Sequence, residues 1–236
     1  MFDHLDIAVG DIEASRAFYV RALGEPTADK EWVEWGDFGI RPADAGHPLT
    51  GRLHVAFGVA GRDDVDEWWQ RMADAGYTSD GEPGPRPQYS STYYGAFILD
   101  PDGNSVEAVH HENARAGTID HVWFRSRDLT AQKRFFETVA PLVGLRVAHD
   151  EPARVRITDG EGSFTYVAGE PPTENVHLAF KAKDRQTVDA FHHVAVAAGY
   201  RDNGPPGERP VYHPGYYGAF VIDPDGHNVE AVYHDR

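Results

Sequence analysis

The chain of 236 residues contains no cysteine, two methionines, and 22 basic residues against 38 acidic ones. The absence of cysteine excludes disulfides, thiolate catalysis and cysteine-ligated zinc, so any bound metal must be held by histidines and carboxylates. The formal net charge of −16 disfavours nucleic acid and anionic membranes as partners. Imidazole and carboxylate groups are therefore where metal chemistry should be sought.

Long apolar runs are also missing. No stretch approaches the roughly 20 apolar residues that a membrane-spanning helix needs. The first residues, MFDHLDIAV, lack the charged and apolar regions of a signal peptide. Because 41% of the residues are hydrophobic and 12% are aromatic, the chain can build proper cores. We expect a cytoplasmic protein that binds a small molecule, as a monomer or a homodimer.

An internal repeat organises the chain. The stretch YYGAFILDPDGNSVEAV, Tyr93–Val109, recurs as YYGAFVIDPDGHNVEAV, Tyr216–Val232. Residues 53–111 align with residues 176–234 at an offset of 123 without a gap, whereas the N-terminal parts align at an offset of 117. A tandem duplication therefore predicts two domains, residues 1–113 and 118–236, joined by a short linker.

Each repeat divides into two halves with the same predicted order of elements. In the first half, a strand at Phe2–Val9 precedes a helix at Ile12–Leu23, with Asp11 as its N-cap. The second repeat has a matching helix at Leu129–Val139 behind Asp128. The Pro/Gly-rich segments Gly81–Pro87 and Gly204–Pro210 are predicted loops, either mobile lids or stiff surface crossings. The pattern predicts an α+β fold of four βαβββ modules, two in each domain.

Strand alternation places polar side chains on the faces that point away from the helices. Two histidines and one glutamate recur in each repeat at equivalent places, although neighbouring positions differ, as Asp6 differs from Trp123. The alternative is that each is a hydrogen-bonded polar residue on a solvated sheet face. Two histidines and a carboxylate on adjacent strands are, however, typical ligands of Fe, Mn, Ni or Zn. The candidate metal ligands are His4, His54, Glu107, His121, His177 and Glu230.

These motifs resemble a known superfamily. The modules, the first-strand HxxI and HxxF, the segments LHVAF and VHLAF, and the closing DPDGNSVE and DPDGHNVE are similar to the vicinal oxygen chelate superfamily of glyoxalases, extradiol dioxygenases and fosfomycin- and bleomycin-resistance proteins. The resemblance implies tandem glyoxalase-like domains, each of two modules that form a cup-shaped half-barrel. It also implies one divalent metal site per repeat, with the ligands His4, His54 and Glu107 in the first and His121, His177 and Glu230 in the second.

The resemblance leaves the reaction open. Glyoxalases add a glutamate ligand at the end of the first module, where this chain has DFGIRPA and SFTYVA, and Phe220 replaces a tyrosine typical of extradiol dioxygenases. We expect a metal-dependent enzyme that chelates neighbouring oxygens of a small organic substrate, of isomerase, lyase, transferase or dioxygenase type. The alternative is a bleomycin-resistance-like protein that sequesters a drug without catalysis. If only one repeat is active, we expect it to be the second.

Further candidates flank the proposed ligands. His213 precedes the last hairpin and is the candidate acid or base, because an imidazole suits proton transfer near neutral pH. Paired tyrosines before the same hairpins are candidate substrate-binding groups, with packing as the alternative role: Tyr93, Tyr94, Tyr216 and Tyr217. Histidines at the ends of strands are expected to be surface residues: His110, His111 and His234.

Overall fold

The computed structural model describes residues 2–160 and 162–235. Its elements follow the chain in four groups, each with one strand, one α-helix and three further strands. The first group comprises β1 (Phe2–Val9), α1 (Ile12–Leu23), β2 (Ala28–Asp29), β3 (Val33–Trp35) and β4 (Phe38–Pro42). The second comprises β5 (His54–Gly58), α2 (Arg62–Asp74), β6 (Ser79–Pro85), β7 (Tyr94–Leu99) and β8 (Ser105–His110).

The second repeat follows the same order. Its first group comprises β9 (Ile119–Ser126), α3 (Leu129–Val139), a 3-10 helix (Ala140–Val143), β10 (Arg146–Glu151), β11 (Arg154–Thr158) and β12 (Ser163–Ala168). Its second comprises β13 (Val176–Lys181), α4 (Arg185–Ala197), β14 (Arg201–Glu208), β15 (Tyr216–Ile222) and β16 (Asn228–His234). The predicted α+β class with four βαβββ modules is confirmed. Within the described ranges, no helix is long and apolar enough to cross a membrane.

Side-chain caps fix the helix starts that the sequence predicted. The Asp11 carboxylate accepts hydrogen bonds from the backbone N–H groups of Glu13 and Ala14, both at 3.0 Å. Asp128 accepts from the N–H of Ala131 at 2.9 Å. Such caps satisfy N–H groups that have no partner inside the helix and contribute about 1 kcal/mol each. The predicted bounds of α1 and α3 are therefore confirmed.

The two Pro/Gly-rich segments are strands at sheet edges, which corrects their prediction as loops. Most of Gly81–Pro87 lies in β6, which pairs antiparallel with β7, and most of Gly204–Pro210 lies in β14, which pairs with β15. Register shifts interrupt both pairings next to Gly81 and Gly204. Edge positions and bulges tolerate proline because a missing N–H there breaks no ladder. The segments are thus held by pairing and are not free lids.

Within residues 2–160 and 162–235, sixteen strands form two sheets of eight. The spatial orders are β14-β15-β16-β13-β1-β4-β3-β2 and β10-β11-β12-β9-β5-β8-β7-β6. In the second sheet, β5 pairs parallel with β8 of its own module and antiparallel with β9, the first strand of the second repeat. The corresponding pair β13 and β16 is also parallel. First strands therefore join modules of different repeats.

The chain divides into two compact units, which we call unit 1 (Met1–Asp6 with Phe124–Arg236) and unit 2 (Ile7–Trp123). These units differ from the predicted domains 1–113 and 118–236, whose outer limits, residues 1 and 236, lie outside the described residues. The division falls within β1 and β9, because the first strand of each repeat pairs with a strand of the other repeat. Each unit consequently contains residues from both repeats.

Aromatic side chains fill the core of each unit, between its strands and its helices. In unit 2, the Tyr19 ring lies 4.9 Å from both Phe18 and Phe38. In unit 1, Phe124 stacks on Tyr166 at 4.9 Å, and Phe136 meets Phe164 edge-on at 5.1 Å. Each of these rings is fully buried. Burial of this kind is the main stabilising contribution to a domain.

The Asp-Pro-Asp-Gly turn that precedes each glutamate strand is tied to the core by its first aspartate. In unit 2, Asp100 Oδ1 accepts from the N–H groups of Asp102 and Asn104, and Oδ2 accepts from the Tyr19 hydroxyl at 3.0 Å. In unit 1, Asp223 Oδ2 accepts from the Tyr166 hydroxyl at 3.1 Å. The turn, and with it the register of β8 or β16, is therefore anchored to buried aromatic side chains.

Replacing Asp100 by alanine should lower the free energy of unfolding by about 2–3 kcal/mol, because the substitution leaves buried donors unpaired. The measurement is urea unfolding followed by circular dichroism. Glu112→Ala, which changes an exposed side chain, is the control and should alter stability by less than about 0.5 kcal/mol. Equal effects of the two substitutions would contradict the anchoring role of Asp100.

Candidate metal sites

Three of the predicted ligands meet in unit 2. His54 Nε2 lies 3.1 Å and His121 Nε2 lies 3.5 Å from the same oxygen, Glu107 Oε2. The other carboxylate oxygen, Oε1, accepts a hydrogen bond from the Tyr93 hydroxyl at 2.7 Å. The three ligand atoms lie within 4.8 Å of one another, which is a spacing that one cation can bridge.

Strand register explains why these side chains meet. On β5, Ala56 is the direct partner of Glu107 on β8 and of His121 on β9. Residues directly opposite one another point to the same face of a sheet, so the glutamate and the histidine flank a small alanine. His54 lies two residues before Ala56 and shares that face. The alanine leaves room above the sheet where the three polar groups converge.

The equivalent site in unit 1 uses the other three predicted ligands. His177 Nε2 lies 3.1 Å and His4 Nε2 lies 3.8 Å from Glu230 Oε2. The two histidine Nε2 atoms are 3.2 Å apart. The Tyr216 hydroxyl donates to Glu230 Oε1 at 2.7 Å, as Tyr93 does to Glu107. A further carboxylate, Asp6, lies within 4.8 Å of both histidines.

The structure brings the six residues together in a different grouping from the one that the resemblance implied. Each site takes one histidine from the first strand of one repeat, and its second histidine and its glutamate from the other repeat. The sites are therefore His4 with His177 and Glu230, and His121 with His54 and Glu107. The assignment of one triad to each repeat needs this correction, because β9 pairs with β5 rather than with a strand of its own repeat.

An aspartate and a second histidine stand behind the first-strand histidine of each site. In unit 2, Asp120 lies 2.7 Å from His121 Nδ1 and 2.9 Å from His111 Nε2. In unit 1, Asp3 lies 3.0 Å from both His4 Nδ1 and His234 Nε2. Carboxylates of this kind fix the tautomer and orientation of a metal-binding imidazole. His111 and His234 are thus partly buried supporting residues, and their prediction as surface residues is wrong.

The sequence carried a signal for this second layer. The dipeptide Asp-His begins both first strands, as Asp3-His4 and Asp120-His121, and it could have suggested the carboxylate support. The other two histidines have neutral partners. His54 Nδ1 lies 3.3 Å from Ser105 Oγ, and His177 Nδ1 lies 2.9 Å from the side-chain amide of Asn228. The Ser105 hydroxyl donates its proton to Asp80, so it accepts from His54 Nδ1, whereas the Asn228 NH2 group donates to His177 Nδ1.

Two glycines leave space for the buried glutamates. A Cβ atom built on Gly95 would overlap Glu107 Oε1, and one on Gly218 would overlap Glu230 Oε1. Both glycines lie one strand away from the glutamate strand, in the repeated YYGAF segments. Neither Gly95 nor Gly218 has a positive φ, so the requirement is for close approach and not for an unusual backbone conformation. The glycine that recurs in both segments is thus explained by the space that the glutamate carboxylate needs.

Electrostatics in unit 2 favour charged forms of both partners. Burial raises the pKa of Glu107, but hydrogen bonds from His121 and His54 outweigh it and lower the pKa to about 2. Burial lowers the pKa of His121, while its contacts with Asp120 and Glu107 raise it to about 9. The site thus holds an anionic carboxylate, only 1% exposed, that must be neutralised by a cation or a proton.

The first-strand histidine in unit 1 is perturbed in the same direction. Burial lowers the pKa of His4, but the nearby carboxylates of Asp6, Asp3 and Glu230 raise it to about 9. Burial raises the pKa of Asp3, while His4 and His234 lower it to about 2. Negative charge therefore surrounds both ring nitrogens of His4, which is the environment that favours a positive ion beside it.

The donor sets fit a divalent metal. Each site offers two imidazole Nε2 atoms and one carboxylate oxygen that converge from three strands, and the first-strand histidine has its Nδ1 held by a carboxylate. This is the arrangement of a two-histidine, one-carboxylate site, which leaves coordination positions open for substrate. Apolar packing does not explain why a glutamate is buried at this position in each unit. The residues that would hold the metal are the six ligands that the sequence predicted.

Three other predicted site residues lie elsewhere. The hydroxyls of Tyr94 and Tyr217 donate to carboxylates of α2 and α4, Asp66 and Asp189, at 2.8 Å each. They therefore belong to the helix side of the sheet, which corrects their prediction as substrate-binding residues. Alternation along the strand separates them from Tyr93 and Tyr216.

His213 is also displaced from the position that an acid or base at the ligands would need. Its Nε2 lies 2.9 Å from His234 Nδ1, and its Nδ1 lies 2.8 Å from the Pro214 carbonyl oxygen. His234 in turn contacts Asp3, which contacts His4. His213 is thus linked to the unit 1 site through two intervening side chains, and its role as an acid or base stays a prediction that no direct contact with the ligands supports.

The geometry agrees with the family to which the sequence matches. A model of the Glyoxalase/Bleomycin resistance protein/Dioxygenase superfamily matches residues 1–108 and 118–231. The chain belongs to this superfamily, and the resemblance drawn from its motifs is confirmed.

The chain is also similar to individual proteins. Over 136 residues, 48% of this chain and 93% of the relative, the chain is 26% identical to a probable lactoylglutathione lyase of Vibrio cholerae serotype O1. Glyoxalase I from Zea mays is 20% identical with a TM-score of 0.68, over 99% of this chain and 92% of that chain. A putative dioxygenase from Bacillus subtilis is 15% identical with a TM-score of 0.67, over 100% of this chain and 85% of that chain. The two structures share the fold with this chain.

Asp120→Asn should weaken metal binding at the unit 2 site by about 10- to 100-fold, because it removes the charge that orients His121. The measurement is calorimetric titration with Mn²⁺ in the His177→Ala, Glu230→Gln background, which leaves the unit 2 site intact and removes two ligands of the unit 1 site. Asp3 supports only the silenced unit 1 site. Asp3→Asn in the same background is therefore the matched control and should leave the affinity unchanged. A loss of the same size in the control would contradict the pairing of Asp120 with His121.

Proposed function

We propose that the protein is a metal-dependent enzyme with two sites, each of which holds one divalent ion through two histidines and one glutamate. The substrate is a small organic molecule that binds through two neighbouring oxygens. The observation that carries this proposal is a glutamate that is 1% exposed and lies beside two imidazole Nε2 atoms, in both units. The reaction type, whether isomerase, lyase, transferase or dioxygenase, stays open, because one fold supports all of them.

The ion is Fe, Mn, Ni or Zn, since nitrogen and oxygen donors of this kind suit all four. When bound, it would supply Lewis acidity toward the substrate oxygens, or redox chemistry with dioxygen in the case of iron. All other contributions come from the chain. Asp120 and Asp3 orient the first-strand histidines, and the apolar strands around each glutamate limit the access of water to the carboxylate.

Tyr93 and Tyr216 position the glutamates and do not act as bases. Burial and the neighbouring carboxylate raise the pKa of Tyr93 well above its usual range, and the same two causes raise the pKa of Tyr216. Both hydroxyls stay protonated near neutral pH and donate to Oε1, which turns Oε2 of each glutamate toward the histidines. Fixing the carboxylate in advance lowers the entropic cost of binding an ion.

Sequestration of a drug without catalysis is the second candidate that the sequence left open. The net charge of −16 is the observation that favours it, since an acidic surface attracts cationic ligands. Two complete ligand sets have no purpose in a protein that only sequesters an organic molecule. Calorimetry with bleomycin on metal-free protein separates the candidates, because tight binding without metal supports sequestration.

The cytoplasmic location and the monomeric or homodimeric state stay predictions.

Measured metal content tests the main proposal. Wild-type protein purified after metal supplementation should contain about two metal ions per chain. Glu107→Gln should contain about one, and so should the double variant His177→Ala, Glu230→Gln, because these substitutions remove ligands of one site only; the triple variant should contain none. The measurement is elemental analysis by mass spectrometry. Glu112→Gln, at an exposed position, is the control and should retain both ions. Wild-type content near zero would sink the proposal.

A further inference from the structure

The two sites share their three ligand types and the aspartate and tyrosine that support them, but they differ at one position on the first strand. Two residues after the first-strand histidine, unit 1 has Asp6 and unit 2 has Trp123. Side chains two residues apart on a strand point to the same face, so each of these residues stands beside its histidine over the site. The two histidines and the glutamate are the same in both sites. The residue at position 6 or 123 is therefore the main chemical difference between them.

In unit 1, the additional residue is a potential ligand. The Asp6 carboxylate lies within 4.8 Å of the ligand atoms of both His4 and His177. No hydrogen bond or ion pair engages Asp6 within the part of the chain that the structure describes, and its side chain is half-buried. His4 and His177 thus have two carboxylates beside them, Asp6 within 4.8 Å and Glu230 Oε2 at 3.8 and 3.1 Å from their Nε2 atoms.

In unit 2, the same position carries an aromatic wall. Trp123 is the direct cross-strand partner of His54, so both side chains stand on the face of the site. The Tyr89 ring meets the Trp123 ring edge-on at 5.8 Å and lies 5.0 Å from the Tyr93 ring. Trp123 is half-buried, and Tyr89 is 49% exposed. Two partly exposed rings beside the ligand His54 form a surface against which a flat apolar ligand can pack.

We propose that the two sites are not equivalent: Asp6 is a second carboxylate ligand at the unit 1 site, whereas Trp123 and Tyr89 make the unit 2 site selective for planar aromatic ligands with neighbouring oxygens. This inference rests on the proposed function, since it requires that both sites bind metal.

Charge and coordination separate the sites further. A divalent ion with two carboxylates and two neutral imidazoles has no net charge, whereas the same ion with one carboxylate keeps one positive charge. The unit 2 site therefore attracts a ligand that has lost a proton more strongly than the unit 1 site does. It also has one more coordination position open for a ligand or for water. The unit 1 site in turn binds its metal more tightly.

The test isolates each site. Glu107→Gln leaves only the unit 1 site. The double substitution His177→Ala, Glu230→Gln leaves only the unit 2 site, because Asp6 would remain as a carboxylate donor if Glu230 alone were replaced. Co²⁺ titration followed by visible absorption reports both affinity and coordination. Asp6→Asn in the Glu107→Gln background should weaken Co²⁺ binding at least tenfold and change the absorption spectrum. Asp6→Glu, which keeps the carboxylate, should retain most of the affinity. Trp123→Phe in the His177→Ala, Glu230→Gln background should leave Co²⁺ affinity within twofold.

Ligand selectivity is measured with two metal-loaded single-site variants. Catechol, an aromatic diol, should bind the His177→Ala, Glu230→Gln protein at least fivefold more tightly than the Glu107→Gln protein, and Trp123→Ala should remove the preference. Hydroxyacetone, which is not aromatic, should show no dependence on Trp123. Thermal unfolding of every variant confirms that it is folded.

The outcomes separate the two proposals. Absence of Co²⁺ binding in both backgrounds overturns the proposed function and this inference with it. Co²⁺ binding that Asp6→Asn leaves within twofold, or equal catechol affinities of the two sites, overturns the non-equivalence of the sites alone and leaves two metal sites in place.

Discussion

A carboxylate enclosed by apolar strands must have its charge neutralised, and both units are arranged around this requirement. Glu107 and Glu230 each meet two imidazoles at one oxygen and a tyrosine hydroxyl at the other. The space for each carboxylate exists because the next strand has glycine where any side chain would collide with it. Desolvation of an unpaired carboxylate would cost several kcal/mol, so the histidines, the tyrosine and the glycine form one dependent set.

Much of the architecture could be predicted because it depends on local patterns. The Asp-capped helices α1 and α3 follow from periodicity and capping chemistry, and the four modules follow from the repeat. Alternation along single strands also identified six side chains that the structure collects into two clusters. Which strands become neighbours is a different matter, because alternation gives the face of a residue but not its cross-strand partner. The pairing of β9 with β5 decided the grouping of the ligands, and no local pattern specified it.

Errors in the remaining residues have equally physical causes. Tyr94 and Tyr217 adjoin Tyr93 and Tyr216 in sequence, yet adjacent residues on a strand face opposite sides, and their hydroxyls bind helix carboxylates. His213 precedes the metal strand but turns toward His234. The prolines of β6 and β14 suggested loops, whereas edge strands tolerate proline. In each case the prediction relied on residues that are adjacent in sequence, whereas contacts in a sheet depend on which residues are adjacent across strands.

The exchange of first strands between the repeats has a consequence for how the two sites could diverge. Residues 118–236 lack His4, and residues 1–113 lack His121, so neither repeat alone encodes a complete site. A half-length ancestor could have completed its sites only as a pair of identical chains, in which symmetry makes both sites the same. Fusion removes that symmetry, because each strand is then encoded once. Asp6 and Trp123 are an example: in a fused chain, a substitution can change one site and leave the other unchanged.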